Sequence, residues 1–368
     1  MRIVFVISHL IYGGAETQLI NLARELARRG HAVTVYTLNA HNPRAAELEG
    51  TNVELIADQK RHKLDWAVVT RLHRYIKFVQ ADVVHGFLFD GDLYSRLASL
   101  GTGAITINSE RSANYALNFN QKLSHYPTRR LVHAVVANSH AGARFAQRLF
   151  GVPPERVHTV WNGIDYEQIS CRVAKCHSDI SARLFGKSGL KLACLVGNIK
   201  PSKDYELALH VADRLTKIRR DWRVVFVGDQ LGETGEYKRA IMRVYDKLHL
   251  HERATFTGLR DDVPEIVSCC RVLYSTSAWE GFPNVVLEAM AVGTPVISAE
   301  YSDIRQILPR YWQVVSDRRA EAFIRAILRA DQFHDEVASE QRAWVIEHAT
   351  MTKVATKLEG IYFEYLAR

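Results

Sequence analysis

Residues 277–299 have the sequence SAWEGFPNVVLEAMAVGTPVISA, and this stretch decides the fold. Its order of residue types predicts a loop, a helix over 284–291, a turn and a short buried strand. Pro283 suits the first position of the helix, because its missing N–H group would have no partner there. Gly293 ends the helix, Pro295 prevents it from restarting, and the apolar residues that follow predict the strand.

Two glutamates flank the start of this predicted helix. Glu280 precedes it, and Glu288 lies just over one turn inside it. A helix N-terminus offers free N–H groups and the positive end of the helix dipole, which favour an anion. Two carboxylates beside such a site cannot both contact a phosphate, so they must bind hydroxyl groups. A sugar and a ribose joined by a diphosphate would satisfy all three features. The alternative is a plain helix with two unrelated glutamates.

The first residues of the chain predict a βαβ unit. An uninterrupted apolar run at 2–8 is typical of a buried parallel strand. Gly13 and Gly14 turn the chain into a helix over 15–29, and a second strand follows at 33–38. The dinucleotide fingerprint G-x-G-x-x-G is absent.

Strands and helices alternate along the rest of the chain, which predicts two α/β domains of ordinary size. The other predicted strands are 82–85, 104–108, 134–138, 192–197, 223–228, 254–257, 272–275 and 295–298. The other predicted helices lie near 65–80, 91–100, 121–131, 140–150, 203–218, 235–248, 262–268 and 317–331, with two helical stretches over 336–367. Residues 169–188 have mixed charge and little periodicity, so we expect the interdomain linker there.

The composition predicts a cytoplasmic globular protein. No apolar run is long enough for a membrane span, and the opening MRIVFVISHLIYGG predicts a strand and a glycine loop rather than a signal peptide. The five cysteines are scattered and odd in number, which favours reduced thiols. The spacing Cys171-x4-Cys176-His177 lacks a second pair of ligands, so we predict neither a metal site nor a cofactor.

The excess of positive charge lies mostly in the first half of the chain. The net charge is +8, and residues 1–180 contain 21 Lys and Arg against 15 Asp and Glu, a difference of about +6. A basic stretch at 60–63 precedes several apolar residues (Trp66, Leu72, Tyr75, Ile76 and Phe78), and Arg129-Arg130 follows Tyr126-Pro127. Such stretches either contact an anionic membrane surface or form a solvated basic face. No nucleic-acid motif accompanies the charge, so we expect no nucleic-acid partner.

The string EGFPNVVLEAMA-x-GTPVI, with its two glutamates eight residues apart, resembles the donor-site motif of the retaining family 4 glycosyltransferases. The early Gly-Gly-Ala-Glu at 13–16, Asn-Gly-Ile-Asp at 162–165 and Val-Gly-Asp at 227–229 follow the same family order. The resemblance covers nearly the whole chain. It implies the α/β GT-B fold, in which two Rossmann-like domains face each other across a deep cleft. Residues 1–168 and a C-terminal helix at about 350–368 would form the acceptor-side domain, and 189–349 the donor-nucleotide domain.

The same resemblance implies roles for residues in the second domain. Lys203 would neutralise the leaving diphosphate. Many family members have Arg where Asn198 stands, so Asn198 removes one charge at this position, and Lys200 would replace it. Glu288 would bind the ribose hydroxyls and Glu280 the hydroxyls of the donor sugar. The backbone of Gly281, Phe282, Pro283 and Asn284 would line the path between sugar and phosphate. Arg260 lies where the family places its base-binding loop.

In the first domain, the resemblance implies that Gly13 and Gly14 face the donor phosphates, while Glu16 is an acceptor-side or structural residue. Many relatives have a histidine near 108–111 that contacts the donor sugar, and this chain has Asn-Ser-Glu-Arg instead. Glu110 or Arg111 would fill that role, or Arg111 would bind an anionic acceptor. His9 and His85, at predicted strand ends, are further candidates with a structural alternative.

These features together predict a metal-independent retaining hexosyltransferase that uses a nucleotide diphosphate sugar, with a UDP-sugar preferred. The acceptor would be a lipid-linked or surface saccharide, and the protein would be cytoplasmic and peripheral on the inner membrane face. An alternative of another class is a non-catalytic GT-B protein that binds a nucleotide sugar or saccharide. A sugar-nucleotide epimerase is disfavoured by the setting of Glu280 and Glu288.

Overall fold

A computed structural model describes residues 1–111, 117–174, 179–229 and 235–368. The chain forms two compact units. The first unit contains Met1–Ile164 and Ala349–Arg368, and the second contains Asp165–His348. The chain therefore passes between the units after Ile164 and after His348, whereas the sequence analysis placed a linker at 169–188.

The elements alternate between strand and helix through both units. The strands are β1 (Arg2–Ile7), β2 (Ala32–Thr37), β3 (Val53–Ala57), β4 (Val83–Phe87), β5 (Ile105–Glu110), β6 (Ala134–Ala137), β7 (Val157–Thr159), β8 (Lys191–Val196), β9 (Trp222–Val227), β10 (Ala254–Phe256), β11 (Val272–Ser275), β12 (Val296–Ala299) and β13 (Val314–Val315). The helices are α1 (Gly14–Arg28), α2 (Trp66–Phe78), α3 (Leu88–Ala98), α4 (Phe119–Thr128), α5 (His140–Phe150), α6 (Tyr166–Ala174), α7 (Ile180–Phe185), α8 (Tyr205–Ile218), α9 (Glu236–Lys247), α10 (Val263–Ser268), α11 (Asn284–Val292), α12 (Ile304–Ile307), α13 (Ala320–Gln332), α14 (His334–His348) and α15 (Met351–Leu366).

The first unit is built on a parallel sheet of seven strands in the order β3-β2-β1-β4-β5-β6-β7. The strand order reverses between β1 and β4, as it does in doubly wound α/β folds. Ligands of such sheets bind beyond the carboxyl ends of the strands at this reversal. The loops after β1, β4 and β5 therefore occupy the place where the fold favours a site.

The last helix, α15, belongs to the core of the first unit. Its apolar face packs with α1 and the sheet, and the residues that it contributes are Met351, Val354, Ala355, Leu358, Ile361, Tyr362 and Tyr365. Glu359 of this helix accepts hydrogen bonds from Arg29 and His31 at distances of 2.9 and 2.6 Å. The resemblance had suggested a C-terminal helix at about 350–368 in this domain.

The two chain crossings are hydrogen-bonded to each other inside the first unit. The N–H group of Ile164 donates to the carbonyl of Ala349 at 2.9 Å, and the N–H group of Met351 donates to the carbonyl of Ile164 at 2.9 Å. Gln18 of α1 bonds both the N–H and the carbonyl of Gly163, at 3.0 and 2.8 Å. The Asn-Gly-Ile-Asp motif at 162–165 therefore has a structural role, because it fixes the place where the chain leaves the unit.

The second unit is built on a parallel sheet of six strands in the order β10-β9-β8-β11-β12-β13. Its strand order reverses between β8 and β11. The loops after these two strands carry Lys203 and Glu280. The second unit thus places two of the predicted site residues at the position that parallel sheets use for ligands.

Most predicted elements are confirmed, and the differences have physical reasons. The region predicted to be irregular contains α6 and α7, which are grouped with the second unit. The strands β3, β7 and β13 were not predicted, because each is a short edge strand with few of the apolar runs that mark central strands. Pro283 was predicted to be the first residue of a helix. In the structure it is the N-cap residue, with an extended ψ of 103°, and α11 begins at Asn284.

The basic stretch near residues 60–78 does not expose an apolar face as its sequence suggested. Leu72 and Ile76 of α2 lie in the core against the sheet. Tyr75 packs against that core, and its hydroxyl donates to Glu54 at 2.5 Å. Trp66 and Phe78 are exposed, but they lie at opposite ends of the helix. Within the described residues, the helices are all too short or too polar to cross a membrane.

Buried histidines make the stability of the first unit sensitive to acid. His125 of α4 is buried against Phe150, at 5.1 Å between ring centroids, and its Nε2 pairs with the carbonyl of Leu149 at 3.1 Å. Burial lowers the pKa of His125 to about 4, from an ordinary value of 6.5. The unfolded chain therefore binds the extra proton first as the pH falls.

We expect the free energy of unfolding to fall as the pH is lowered from about 6.5 to about 4, and His125 to contribute up to about 3 kcal/mol of that loss. His125→Gln keeps a donor for Leu149 but does not titrate, so its loss over this range should be smaller. Urea unfolding at several pH values measures the difference. The exposed His62→Gln is the matched control and should follow the parent protein; an equal pH dependence in His125→Gln would contradict the assignment.

Candidate active site

An ion pair joins the loops that follow β8 and β11. The Nζ atom of Lys203 lies 2.6 Å from Oε1 of Glu280, and the two side chains are 14% and 15% exposed. The hydroxyl of Ser277 donates to the same carboxylate oxygen at 3.0 Å. Two residues 77 positions apart, both predicted from the family resemblance, are thus brought together at the reversal of the sheet.

The loop that carries Lys203 is shaped by a left-handed residue. Pro201–Lys203 form a single 3₁₀ turn, and Asp204 follows with φ at 48°. An Asp tolerates this conformation because its short side chain bonds the nearby backbone. Here the Asp204 carboxylate caps α8 by accepting from the N–H of Leu207 at 3.2 Å. The turn holds the base of the Lys203 side chain at the sheet edge.

Hydrogen bonds between the two loops fix their spacing. The N–H of Ala278 donates to the carbonyl of Ser202 at 2.8 Å. The hydroxyl of Thr276 lies 2.8 Å from the carbonyl of Lys203 and 3.0 Å from that of Asp204. The Lys203–Glu280 pair is therefore held by its backbone as well as by its charges.

Arg318, which the sequence analysis did not single out, spans both loops. Its guanidinium donates to the carbonyls of Thr276 and Ser277 at 2.7 and 3.1 Å, and to the carboxylate of Asp204 at 2.6 Å. A guanidinium can serve three oxygens at once because its five N–H groups point in fixed directions. No sequence signal marks Arg318, since it lies in the plain string Ser-Asp-Arg-Arg at 316–319.

Close backbone approach explains the glycine of the Val-Gly-Asp motif. A Cβ on Gly228 would lie 2.2 Å from the carbonyl oxygen of Gly197, and φ at Gly228 is 131°. The hydroxyl of Tyr205 donates to the same carbonyl at 2.5 Å. The loops after β8 and β9 therefore meet at the floor beneath Lys203, with no room for a side chain at 228.

Glu288 lies on the second turn of α11 and is partly buried. Burial raises the pKa of its carboxyl group, and attraction to Arg172 opposes that shift. Arg172 itself is bonded to Glu265 at 2.9 and 3.0 Å. Across the described ranges, we find no hydrogen bond or ion pair to the Glu288 carboxylate. A desolvated acceptor without a partner is typical of a site that awaits hydroxyl groups.

Three other predicted side chains of the second unit, and the backbone of Gly281, take no part in the Lys203–Glu280 ion pair. Lys200 is exposed and Asn198 partly buried in the loop after β8. Arg260 is engaged with Asp262, at 2.7 and 2.6 Å, so its charge is already neutralised. The carbonyl of Gly281 accepts from Ser302 at 2.8 Å.

The start of α11 supplies the backbone that the donor motif was expected to present. Phe282 and Pro283 are buried, and Asn284 is the first residue of the helix. The helix ends at Gly293, where φ is 82°, as the sequence predicted. Its N-terminus follows directly after the loop that holds Glu280.

In the first unit, the carboxylate of Glu16 covers the loop of Gly13 and Gly14 that follows β1. The carboxylate of Glu16 is buried, and its Oε2 lies 2.3 Å from where a Cβ of Gly13 would be. Burial raises the pKa of Glu16, while Arg44 opposes the shift. As long as Glu16 is ionised, a phosphate beside Gly13 and Gly14 would meet a like charge.

Arg111 is held by neutral groups. Its guanidinium lies over the ring of Phe87, 4.7 Å from the centroid, and donates to Asn162 at 3.0 Å and to Ser109 at 3.3 Å. Burial lowers the pKa of Arg111 to about 10. Glu110, its neighbour, is buried at the end of β5. Both predicted residues therefore lie at the carboxyl edge of the first sheet.

His85 is a core residue, in agreement with the structural alternative for this histidine. It lies in the middle of β4, fully buried, with its ring nitrogens 2.6 Å from the hydroxyl of Tyr362 and 2.7 Å from that of Ser109. Burial lowers the pKa of His85 well below its ordinary value. His9, just after β1, is only partly buried and lies 3.3 Å from Asn39.

No group of three or more His, Cys, Asp or Glu side chains is arranged to hold a metal ion in the ranges that the structure describes. Cys171 is an exposed free thiol. Cys176 and His177, the rest of the spacing considered in the sequence, lie outside the described residues.

Two family profiles match this chain in succession. The profile of Glycosyltransferase Family 4 matches residues 12–168, and that of Glycosyl transferases group 1 matches residues 191–331. The chain belongs to the family 4 glycosyltransferases. It has the GT-B fold of two Rossmann-like domains, and it is a glycosyltransferase.

Known proteins are similar to this chain over about half to nearly all of its length. The N-acetyl-alpha-D-glucosaminyl L-malate synthase of Bacillus anthracis is 23% identical, over 96% of this chain and 94% of its own. An Escherichia coli UDP-Gal:alpha-D-GlcNAc-diphosphoundecaprenol alpha-1,3-galactosyltransferase is 23% identical over 58% of this chain and 55% of its own. The crystal structure of Anabaena HepE in complex with UDP superposes with a TM-score of 0.84 at 18% identity, covering 99% of this chain and all of HepE.

We expect Arg318→Ala to loosen the two site loops. Three hydrogen-bond acceptors lose their donor, so the free energy of unfolding should fall by about 1–3 kcal/mol. Amide hydrogen exchange at Ala278 should accelerate, because that N–H bridges the loops. The neighbouring Arg319→Ala is the matched control: the Arg319 side chain is 75% exposed and is paired, among the described residues, with Asp317 alone. Its loss should leave both measurements near those of the parent. Unchanged exchange at Ala278 in Arg318→Ala would refute the role.

Proposed function

We propose that this glycosyltransferase is a retaining hexosyltransferase. It takes its sugar from a UDP-sugar, without a metal ion, and transfers it to a lipid-linked or surface saccharide. The observation that carries the proposal is the Lys203–Glu280 pair at the reversal of the second sheet. A cation and a carboxylate lie together where a nucleotide diphosphate sugar presents an anion and a set of hydroxyls.

Lys203 is the cation for the leaving diphosphate. Negative charge develops on that group as the bond to the sugar breaks, so a cation placed there stabilises the transition state more than the ground state. Lys203 is mostly buried, which strengthens its interaction with an incoming phosphate. The N-terminus of α11, with the positive end of its helix dipole, adds to the same charge balance.

Glu280 exchanges partners when the donor binds. In the protein alone its carboxylate neutralises Lys203; with a diphosphate on Lys203, two anions would compete for one cation. Glu280 then accepts hydrogen bonds from the sugar hydroxyls, a role in which a carboxylate is a strong acceptor. The pair therefore keeps both groups compensated in both states, which avoids the cost of a lone buried charge.

Glu288 binds the ribose hydroxyls. Its carboxylate is desolvated and has no hydrogen-bond partner among the described residues, so the binding of two hydroxyls restores the hydrogen bonds that folding removed. The stability lost by burying this group is recovered only when the nucleotide is present.

The configuration at the anomeric carbon is retained if the leaving phosphate itself serves as the base. The bond between the anomeric carbon and the phosphate oxygen breaks while the acceptor oxygen bonds to the same face of that carbon. The acceptor proton passes to the leaving phosphate. Glu280 is bonded to Lys203 and Ser277 rather than poised as a nucleophile, so a covalent glycosyl-enzyme is not expected.

The relatives support the choice of donor and acceptor. HepE has been crystallised with UDP, and the E. coli relative is named for transfer from UDP-Gal to a diphosphoundecaprenol-linked sugar. An acceptor carried by a lipid would place this protein at a membrane surface. The rival proposal of a non-catalytic binder predicts no turnover at all, and slow hydrolysis of the donor without acceptor separates the two.

We expect Lys203→Ala to lower kcat/KM for the UDP-sugar by roughly 100-fold or more, the scale of losing one contact to the developing charge. Lys217→Ala removes an exposed lysine that is paired with Asp213 on α8, and it should keep the parent rate. Initial rates of donor hydrolysis, measured in the presence of a chelator, provide the comparison. A normal rate for Lys203→Ala would sink the assignment of the cation.

We expect Glu288→Gln to weaken UDP binding by roughly tenfold or more, the scale of hydrogen bonds to a charged group, without lowering the free energy of unfolding. Isothermal titration with UDP, GDP and ADP measures affinity and base choice together, and urea unfolding measures stability. Glu321→Gln, on the surface of α13, is the matched control. Equal UDP affinity in Glu288→Gln and the parent would show that Glu288 does not touch the nucleotide.

A further inference from the structure

An apolar stripe on α4 is exposed in the part of the chain that the structure describes. Phe119, Leu123 and Tyr126 are 77%, 68% and 50% exposed. At 100° per residue their side chains fall within about 60° of one another around the helix, so they form one continuous stripe. Exposed apolar residues scattered singly are ordinary, but a stripe of three on one helix face indicates a contact surface.

The stripe lies in the most one-sided charge environment of the sequence. Between Glu110 and Glu155 there is no Asp or Glu, while six Lys and Arg occur: Arg111, Lys122, Arg129, Arg130, Arg144 and Arg148. Lys122 and Arg130, both exposed, flank the stripe. Arg129 lies over the ring of Tyr126, 4.8 Å from its centroid.

The neighbouring elements do not compensate this charge. The acidic residues of α3, which packs on α4, are Asp90 and Asp92. Asp90 is paired with Lys60, and Asp92 is buried. The helix α5, on the other side of the segment, has no acidic residue. The surface around the stripe is therefore positive, and its complement is a negative one.

We propose that the α4 stripe is the surface by which this protein rests on an anionic lipid bilayer. Phe119, Leu123 and Tyr126 enter the headgroup region, and Lys122, Arg129 and Arg130 contact the acidic headgroups. Aromatic and leucine side chains beside basic residues are the chemistry of an interfacial helix. This inference rests on the proposed lipid-linked acceptor, and it places the membrane contact on α4 rather than on the 60–78 stretch.

The α2 helix offers a matched comparison within the same unit. It also has two exposed apolar residues, Trp66 and Phe78, and basic neighbours, Arg61 and Lys63. However, Trp66 and Phe78 point about 120° apart and stand at opposite ends of 13 residues. The helices α2 and α4 thus have similar exposed residue types, but of the two, α4 alone arranges its apolar residues on one face.

The test is flotation of the full-length protein with phosphatidylcholine vesicles that contain or lack phosphatidylglycerol, at low and high salt. The parent should float with the anionic vesicles at low salt only. Lys122→Gln/Arg130→Gln should lower partitioning by about 25-fold, at about fivefold for each cation removed. Phe119→Gln/Leu123→Gln should lower it by at least tenfold.

The α2 set, Arg61→Gln/Lys63→Gln and Trp66→Gln/Phe78→Gln, should float like the parent. A parent that stays soluble with anionic vesicles overturns the proposal and leaves the stripe to a protein partner. Equal loss in the α2 set also overturns it, because the binding would then follow net charge alone. Thermal unfolding and UDP titration of each variant show that fold and donor site are intact, so a failed flotation does not by itself count against the proposed transferase.

Discussion

The Lys203–Glu280 ion pair is the interaction around which the second domain is arranged. Two parallel strands that neighbour each other at the reversal of the sheet end in loops, and each loop supplies one charge. Neither charge would be tolerated alone at this depth, because a mostly buried ion without a partner costs several kcal/mol. The remaining contacts, from the left-handed Asp204 to the guanidinium of Arg318, keep the two loops at the spacing that the pair requires.

Two clusters of buried polar groups are stabilised in different ways. Around β4 and β5, burial favours the neutral forms: it lowers the pKa of His85 and raises the pKa of Asp92. The buried cation of this cluster, Arg111, rests on a ring, an amide and a hydroxyl rather than on a carboxylate. In the second domain, Lys203 and Glu280 are paired with each other. A buried charge without a partner costs free energy, and each cluster avoids that cost by its own route.

The parts of the fold and of the candidate site that can be predicted are those marked by local signals in the sequence, such as Pro, Gly and unbroken apolar runs. The donor stretch was predicted because Pro, Gly and Pro mark its boundaries, and the βαβ order followed from unbroken apolar runs. The role of Arg318 could not be predicted, since its contacts to Asp204, Thr276 and Ser277 are tertiary contacts that no local pattern indicates. The residues after 60 and those after 119 show the same limit. Their compositions are alike, and only the fold decides that Leu72 and Ile76 enter the core while Phe119 and Leu123 do not.

The return of α15 to the first domain has a consequence for how the protein is made. Residues 165–348 form an uninterrupted segment inserted between the two parts of the first domain. A chain synthesised from its N-terminus therefore completes the inserted domain first. Until α15 emerges, α1 and the sheet lack Leu358, Ile361 and Tyr362, and His85 lacks one of its two hydroxyl partners. The first domain therefore begins to be synthesised first but completes its core last. Until then, the apolar residues that α15 covers stay exposed to solvent and to chaperones.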